Sequence, residues 1–178
     1  MSSRAAQFQK LYERHNRLVL AYCLRRISNA EAYDAASEVF AVAWRRLDDI
    51  PDDKELAWLY GVARRVLSRK RRSANRFSRL VKQVQMQPQP TTIDVADEVL
   101  GDDRVSQVRA AIGMLKARDQ EILRLAAWEG LSHRDIAEVL DISTSAVDQR
   151  LHRAKQRLAV AYEGLFSPGD SAIQGSSA

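Results

Sequence analysis

The sequence predicts an all-α protein of two small helical domains joined by a flexible linker, the second containing a helix-turn-helix. Three observations carry this. Apolar residues recur at three- and four-residue spacing on both sides of the chain's middle, and no stretch reads as a strand. Residues 83–103 (QVQMQPQPTTIDVADEVLGDD) are polar, contain proline and end acidic, as linkers do. Residues 131–158 (LSHRDIAEVLDISTSAVDQRLHRAKQRL) combine two amphipathic runs, a tight turn and a basic second run.

The first helix is expected over residues 5–27, with Phe8, Leu11, Tyr12, His15, Leu18, Val19 and Tyr22 on one broad face. Asn29 is expected to cap a second helix, about 30–47, that buries Ala32, Ala36, Val39, Phe40, Ala43, Trp44 and Leu47. Residues 48–53 (DDIPDD) break it, because Pro51 cannot continue a helix and aspartates favour turns and caps. A third helix starts near Asp53 and turns Leu56, Leu59, Val62, Ala63, Val66 and Leu67 inward, with Trp58 and Tyr60 flanking them. Trp58 is expected in the core, since its neighbours are apolar. From Arg64 to Lys82 this helix carries nine basic residues and no acidic one. Arg65, Arg69, Arg72, Arg76 and Arg79 align on one face, and like charges stacked this way repel unless an anion receives them. Nucleic acid is the expected anion.

Beyond the linker, Val105, Val108, Ala111, Ile112 and Leu115 mark one helix, and Ile122, Leu123, Leu125 and Ala126 the next. In the helix-turn-helix, Leu131, Ile136, Ala137 and Leu140 form one stripe, Ile142 fills the turn, and Val147, Leu151, Ala154 and Leu158 form the other. Ser132 and either Ser143 or Thr144 mark the helix starts. Asp141 occupies a turn position where glycine is usual, and aspartate tolerates a left-handed backbone better than most residues. The face opposite the second stripe presents Ser145, Asp148, Gln149, His152, Arg153 and Gln156, flanked by Arg150, Lys155 and Arg157. Such a face suits a major groove, its first residues reaching base edges and its later cations phosphates. The domains are thus 1–82 and 104–165, with linker 83–103 and a tail, 166–178, expected to be disordered.

Composition narrows the class. The chain has 178 residues, 46% of them hydrophobic, and a net charge of +5, which favours a polyanionic partner. The single cysteine, Cys23, excludes an intramolecular disulfide and a cysteine-cluster zinc site, and its apolar surroundings indicate a buried thiol. No run reaches the roughly 18 apolar residues of a membrane span, and MSSRAAQFQK lacks a signal-peptide core, so a cytoplasmic location is expected. His15, His133 and His152 stand apart, without a carboxylate pair, metal-spaced cluster or phosphate loop beside them. Neither catalytic residues nor a metal or cofactor is expected. His15 is expected to pack on a helix face and His133 to lie on the surface.

Taken together, these stretches resemble the extracytoplasmic-function sigma factors, the small two-domain class of bacterial transcription initiation factors. In the first half the resemblance rests on FQKLYERHNRLVLAYCLRR, DAASEVFAVAWRRL and AWLYGVARRVLSRKRR; in the second, on LKARDQEILRLAAWEGLSHRDIAEVLDISTSAVDQRLHRAKQRL. It implies that Asp34, Ser37 and Glu38 dock on a coiled coil of the RNA polymerase core enzyme. It implies that the loop from Asp48 to Lys54, with Asp49 and Asp52, holds a flipped base of the minus-ten promoter element, flanked by Trp58, Arg64, Arg65, Arg69 and Arg72. Thr144, Ser145, Asp148, Gln149, Arg150, His152 and Arg153 would bind the minus-thirty-five element, and the acidic linker would thread a basic polymerase channel. An anti-sigma protein is the further partner implied. Four positions depart from the family's habit: Arg65 stands where Asn is frequent, Ser37 where Gln is common, Asp148 where a basic residue is usual, and Lys116-Ala117 lacks a proline. Asp148 would repel phosphate yet accept a bond from cytosine N4. The competing reading of the residues is a free-standing helix-turn-helix repressor that dimerises through its first half.

Overall fold

The computed structural model describes residues 4–82 and 103–166, with side chains omitted for 75–82 and 103. Among these residues there are seven α-helices and no strand. In the first unit α1 (Arg4–Leu24), α2 (Asn29–Arg45) and α3 (Glu55–Lys82) pack pairwise around Leu11, Val19, Tyr22, Val39, Phe40, Leu59, Val62 and Val66. In the second, α4 (Asp103–Gly113), α5 (Ala117–Ala127) and α6 (His133–Leu140) all rest on the long α7 (Thr144–Phe166), burying Ile112, Ile122, Leu125, Ile136, Val147 and Leu151. The all-α fold agrees with the periodicity.

Several boundaries and faces differ from expectation. Ser28, not Asn29, is the N-cap of α2, and its hydroxyl turns to Glu31 at 2.7 Å rather than to the backbone. α2 ends at Arg45, so Leu47 falls in a 3-10 turn, Leu47–Asp49, before Pro51. Spacing puts Tyr12, Leu18 and Trp44 on buried stripes, yet each is over 40% exposed, Tyr12 and Trp44 packing edge-on against Phe40 and Phe8 with their outer sides open. Tyr60, placed on a flank, is 1% exposed, because a partner from the second unit covers it. The linker and tail, including Asp94, Asp97 and Glu98, lie outside the described residues apart from Asp103 at the start of α4 and Phe166 at the end of α7.

The largest difference is between the units themselves. The sequence reads as two bodies on a tether, but α3 lies against α6 and the buried apolar residues form one continuous cluster across both units. Gly61 lies at this approach, where a Cβ would stand in ordinary van der Waals contact, 4.0 Å from the Cα of Val139 on α6.

Candidate nucleic-acid interface

The helix-turn-helix is assembled by local chemistry. Ser132 caps α6, its hydroxyl oxygen accepting from the Asp135 amide at 3.1 Å. Asp141 then takes the left-handed conformation, φ 56° and ψ 54°, and the Ile142 amide donates back to the Ala137 carbonyl at 3.0 Å, closing the α6 C-terminus. Ser143 supplies the cap of α7, accepting from the Ala146 amide at 3.2 Å. An L-residue with a Cβ is strained at Asp141, so Asp141→Gly is expected to stabilise the chain by about 0.5–1 kcal/mol, read as a higher urea midpoint at unchanged slope.

With Val147, Leu151 and Ala154 buried, the face left outside is the one the spacing indicated: Thr144, Ser145, Asp148, Gln149, Arg150, His152 and Arg153 are all exposed. They share one side of a helix whose orientation is fixed from below. Asp119, buried in the first turn of α5, accepts from Arg157 of α7 at 2.7 Å. Arg153 is drawn along α7 by the Gln149 carbonyl at 3.2 Å. Asp148 is engaged from α6, where His133 Nδ1 lies 2.5 Å from its carboxylate. His133 is therefore a surface residue as expected, and also the group that holds the one acid on this face.

The first unit presents a second polar surface. Arg64 is half-buried, and Arg65, Arg69 and Arg72 are exposed on α3. Arg69 contacts Glu38 of α2, so a residue assigned to polymerase and one assigned to DNA meet each other here. Asp34 and Ser37 are exposed on the same helix as Glu38. Asp49 is exposed and accepts from Arg46 at 2.8 Å, and Arg46 in turn stands 5.8 Å over the Trp58 ring. Trp58 is half-buried and packs against the core, between a purely internal and an external place. Asp52 is exposed on the rim of a cleft that also takes in His15, Lys54 and Glu55 from the first unit and Leu131 and Asp135 from the second. His15 packs as expected, but its Nε2 also meets Glu55 at 2.8 Å.

Sequence reasoning missed the groups that join the units. Arg26, whose side chain is 2% exposed, pairs with Glu121 and Glu129 of the second unit, each at 2.9 Å. Glu129, 1% exposed, also meets Arg25, while the Tyr22 hydroxyl donates to Glu121 at 2.8 Å. The Arg26 guanidinium lies 3.5 Å over the Tyr22 ring, and Tyr22 stacks on Tyr60 with centroids 4.7 Å apart. Burial, and next the Glu121 charge, push the Tyr22 hydroxyl well above its ordinary pKa. Burial alone would raise Glu121, but the neighbouring Arg26 charge and hydrogen bonds from Arg26 and Tyr22 hold it below the ordinary carboxylate value. Burial pushes the Cys23 thiol up to about 11, as befits an inert core cysteine.

A helix-turn-helix with an open polar face, on a chain whose other half carries a cationic helix, defines a DNA-binding transcription protein of the all-α class. Residues 11–77 match the Sigma-70 region 2 family and residues 106–158 the Sigma-70, region 4 family. The chain is 30% identical over 169 residues to the ECF RNA polymerase sigma factor SigL of Mycobacterium tuberculosis, covering 92% of this chain and 93% of that one. It is 28% identical over 166 residues to the RNA polymerase sigma factor CnrH of Cupriavidus metallidurans, covering 85% and 84%. Among solved structures, CnrH in complex with the cytosolic domain of CnrY superposes with a TM-score of 0.59 at 26% identity, over 88% of each chain. The sigma factor RpoE of Bartonella quintana, in complex with the anti-sigma factor NepR, shares the fold with a TM-score of 0.69 at 21% identity, over 88% of this chain and 96% of that one. The chain belongs to the ECF RNA polymerase sigma factors. Both sigma-70 regions in one chain support that function and not the free-standing repressor. No helix among the described residues is long and apolar enough to cross a membrane.

Proposed function

We propose that this sigma factor divides promoter recognition between its units, residues 1–82 binding core polymerase and the minus-ten element and residues 104–165 binding the minus-thirty-five duplex. The observation that carries this is the exposed α7 face, where Ser145, Gln149, Arg150, His152 and Arg153 stand clear of the core on a helix fixed by Asp119 and Arg157. Side chains at the start of α7 would read base edges and the later cations would set register on phosphates. Asp148, held by His133, would sit at the groove edge as an acceptor for cytosine N4. On the first unit, Asp34, Ser37 and Glu38 form the polymerase contact. Asp49 and Asp52 belong to the loop that takes a flipped base, and Trp58, Arg64, Arg65, Arg69 and Arg72 form the wall along the parted strand. The chain selects start sites without performing chemistry, acts in the cytoplasm, and has an anti-sigma protein as a further partner. The complex of its relative CnrH with the cytosolic domain of CnrY supports that last reading.

Gel filtration of the purified chain with bacterial core polymerase, followed by run-off transcription on promoter fragments, tests the assignment. Co-elution and fixed start sites are expected. Specific DNA binding without polymerase, or polymerase binding without start-site selection, would reject it.

A further inference from the structure

We infer that His133 is a positioning residue that makes the α7 face select cytosine at one base pair of the duplex, by holding Asp148 with one carboxylate oxygen occupied and the other left to accept. This role presupposes that the face meets the minus-thirty-five duplex. Asp148 is the one acid on a face otherwise made of hydroxyl, amide and basic side chains. An unpaired carboxylate there would exchange among rotamers and repel phosphate. His133 is the first residue of α6, and its Nδ1 meets Asp148 Oδ1 at 2.5 Å. The two are 15 positions apart, so the packing of α6 on α7, with Ile136 and Val147 fully buried, sets their separation. A carboxylate has no proton to give, so Nδ1 carries the proton and donates it. The side chains are 50% and 57% exposed, and an ion pair so open to water contributes little to stability. Its effect is on orientation: the hydrogen bond occupies Oδ1 and leaves Oδ2 as an atom that can only accept.

An atom that can only accept discriminates by what it cannot do. In the major groove guanine offers N7 and O6 and thymine O4, all acceptors, and each would meet Oδ2 lone pair against lone pair. Adenine offers its N6 donor beside the acceptor N7, which a carboxylate leaves unanswered. Cytosine offers the N4 donor with no acceptor next to it, and it alone matches. An amide at the same place both donates and accepts, and so matches adenine N6 and N7 instead. Holding the carboxylate matters because a freed Asp148 has rotamer entropy to lose on binding and finds His152, one helical turn along α7, as another partner.

The test uses holoenzyme reconstituted from the full chain and bacterial core polymerase, with run-off transcription from a pool of promoters randomised through the minus-thirty-five element above a constant minus-ten element. The wild type is expected to favour cytosine on the contacted strand over every other base by about tenfold at one position. Asp148→Asn should move that preference to adenine. His133→Ala should reduce it to about twofold or less and leave the preferences at other positions unchanged. His133→Asn, whose amide nitrogen can take the place of Nδ1, should restore most of it. Thermal midpoints should move little in all three variants, since the pair is exposed. A merely structural histidine would lower transcription from all promoters alike and leave their ranking intact. An unchanged ranking in His133→Ala, or a loss that His133→Asn does not recover, would overturn the role of His133 and leave duplex recognition by α7 standing. Absence of any base preference in the wild-type holoenzyme would overturn the assignment of the face itself, and this role with it.

Discussion

Replacing Arg150 and Arg153 together with alanine is expected to reduce run-off transcription by two to three orders of magnitude while leaving co-elution with core polymerase unchanged. Each arginine contact to a base edge or phosphate contributes about 1–3 kcal/mol, so two lost together correspond to that range. Both side chains are exposed on α7, and neither enters the core formed by Val147, Leu151 and Ala154, so the thermal midpoint should move little. Arg153 is drawn back along α7 by the Gln149 carbonyl, so part of its ordering cost is met before DNA arrives. Loss of polymerase association in this variant would show that α7 does not carry the duplex site.

The second large effect concerns Arg26. Arg26→Ala leaves Glu121 and Glu129 facing each other without a shared cation, and Glu129 is 1% exposed. Removing one partner of a buried ionic cluster typically costs about 3–5 kcal/mol. The units can escape that cost by separating and hydrating both acids, so the expected result is loss of the shared transition: one urea unfolding step becomes two, at lower midpoints. The pH dependence follows from Glu121, whose folded pKa lies below its unfolded value. Its contribution is complete above the unfolded value, near pH 4.3, and is lost as the pH falls through the folded value. The contact between the units should therefore weaken in acid, and again in strong alkali, where the raised Tyr22 pKa opposes ionisation in the folded chain; Arg26→Ala should remove the acid dependence. Fluorescence-detected urea titrations between pH 3 and 7 measure both acid effects.

What was legible in the chain and what was not divides by distance along it. The cap at Ser132, the left-handed Asp141 and the outward face of α7 are set by neighbours within four residues or by helical periodicity, and each is found where the sequence indicated. Arg26 at the end of a helix reads as an ordinary cation near a C-terminus, and Glu129 beside Gly130 as an ordinary surface acid. Only the fold brings them together across 103 residues. Periodicity likewise marks Tyr60 and Trp44 as near a buried face but cannot say what covers it; Tyr60 is covered by the second unit, and Trp44 is left 41% exposed beside Phe8 and Arg4. The uninterrupted arginine stripe suggested an anion from outside the chain, but spacing could not reveal that Glu38, 31 positions before Arg69, already answers part of it.

Under the proposed assignment of Glu38 to polymerase and Arg69 to the parted strand, that last contact makes the two binding events thermodynamically reciprocal. While Glu38 and Arg69 neutralise each other, neither is fully offered to a ligand, and whichever ligand arrives first liberates the side chain the other needs. An enzyme that captures the glutamate thereby sharpens the arginine's affinity for a phosphate, and a strand that captures the arginine must repay the enzyme by the same factor.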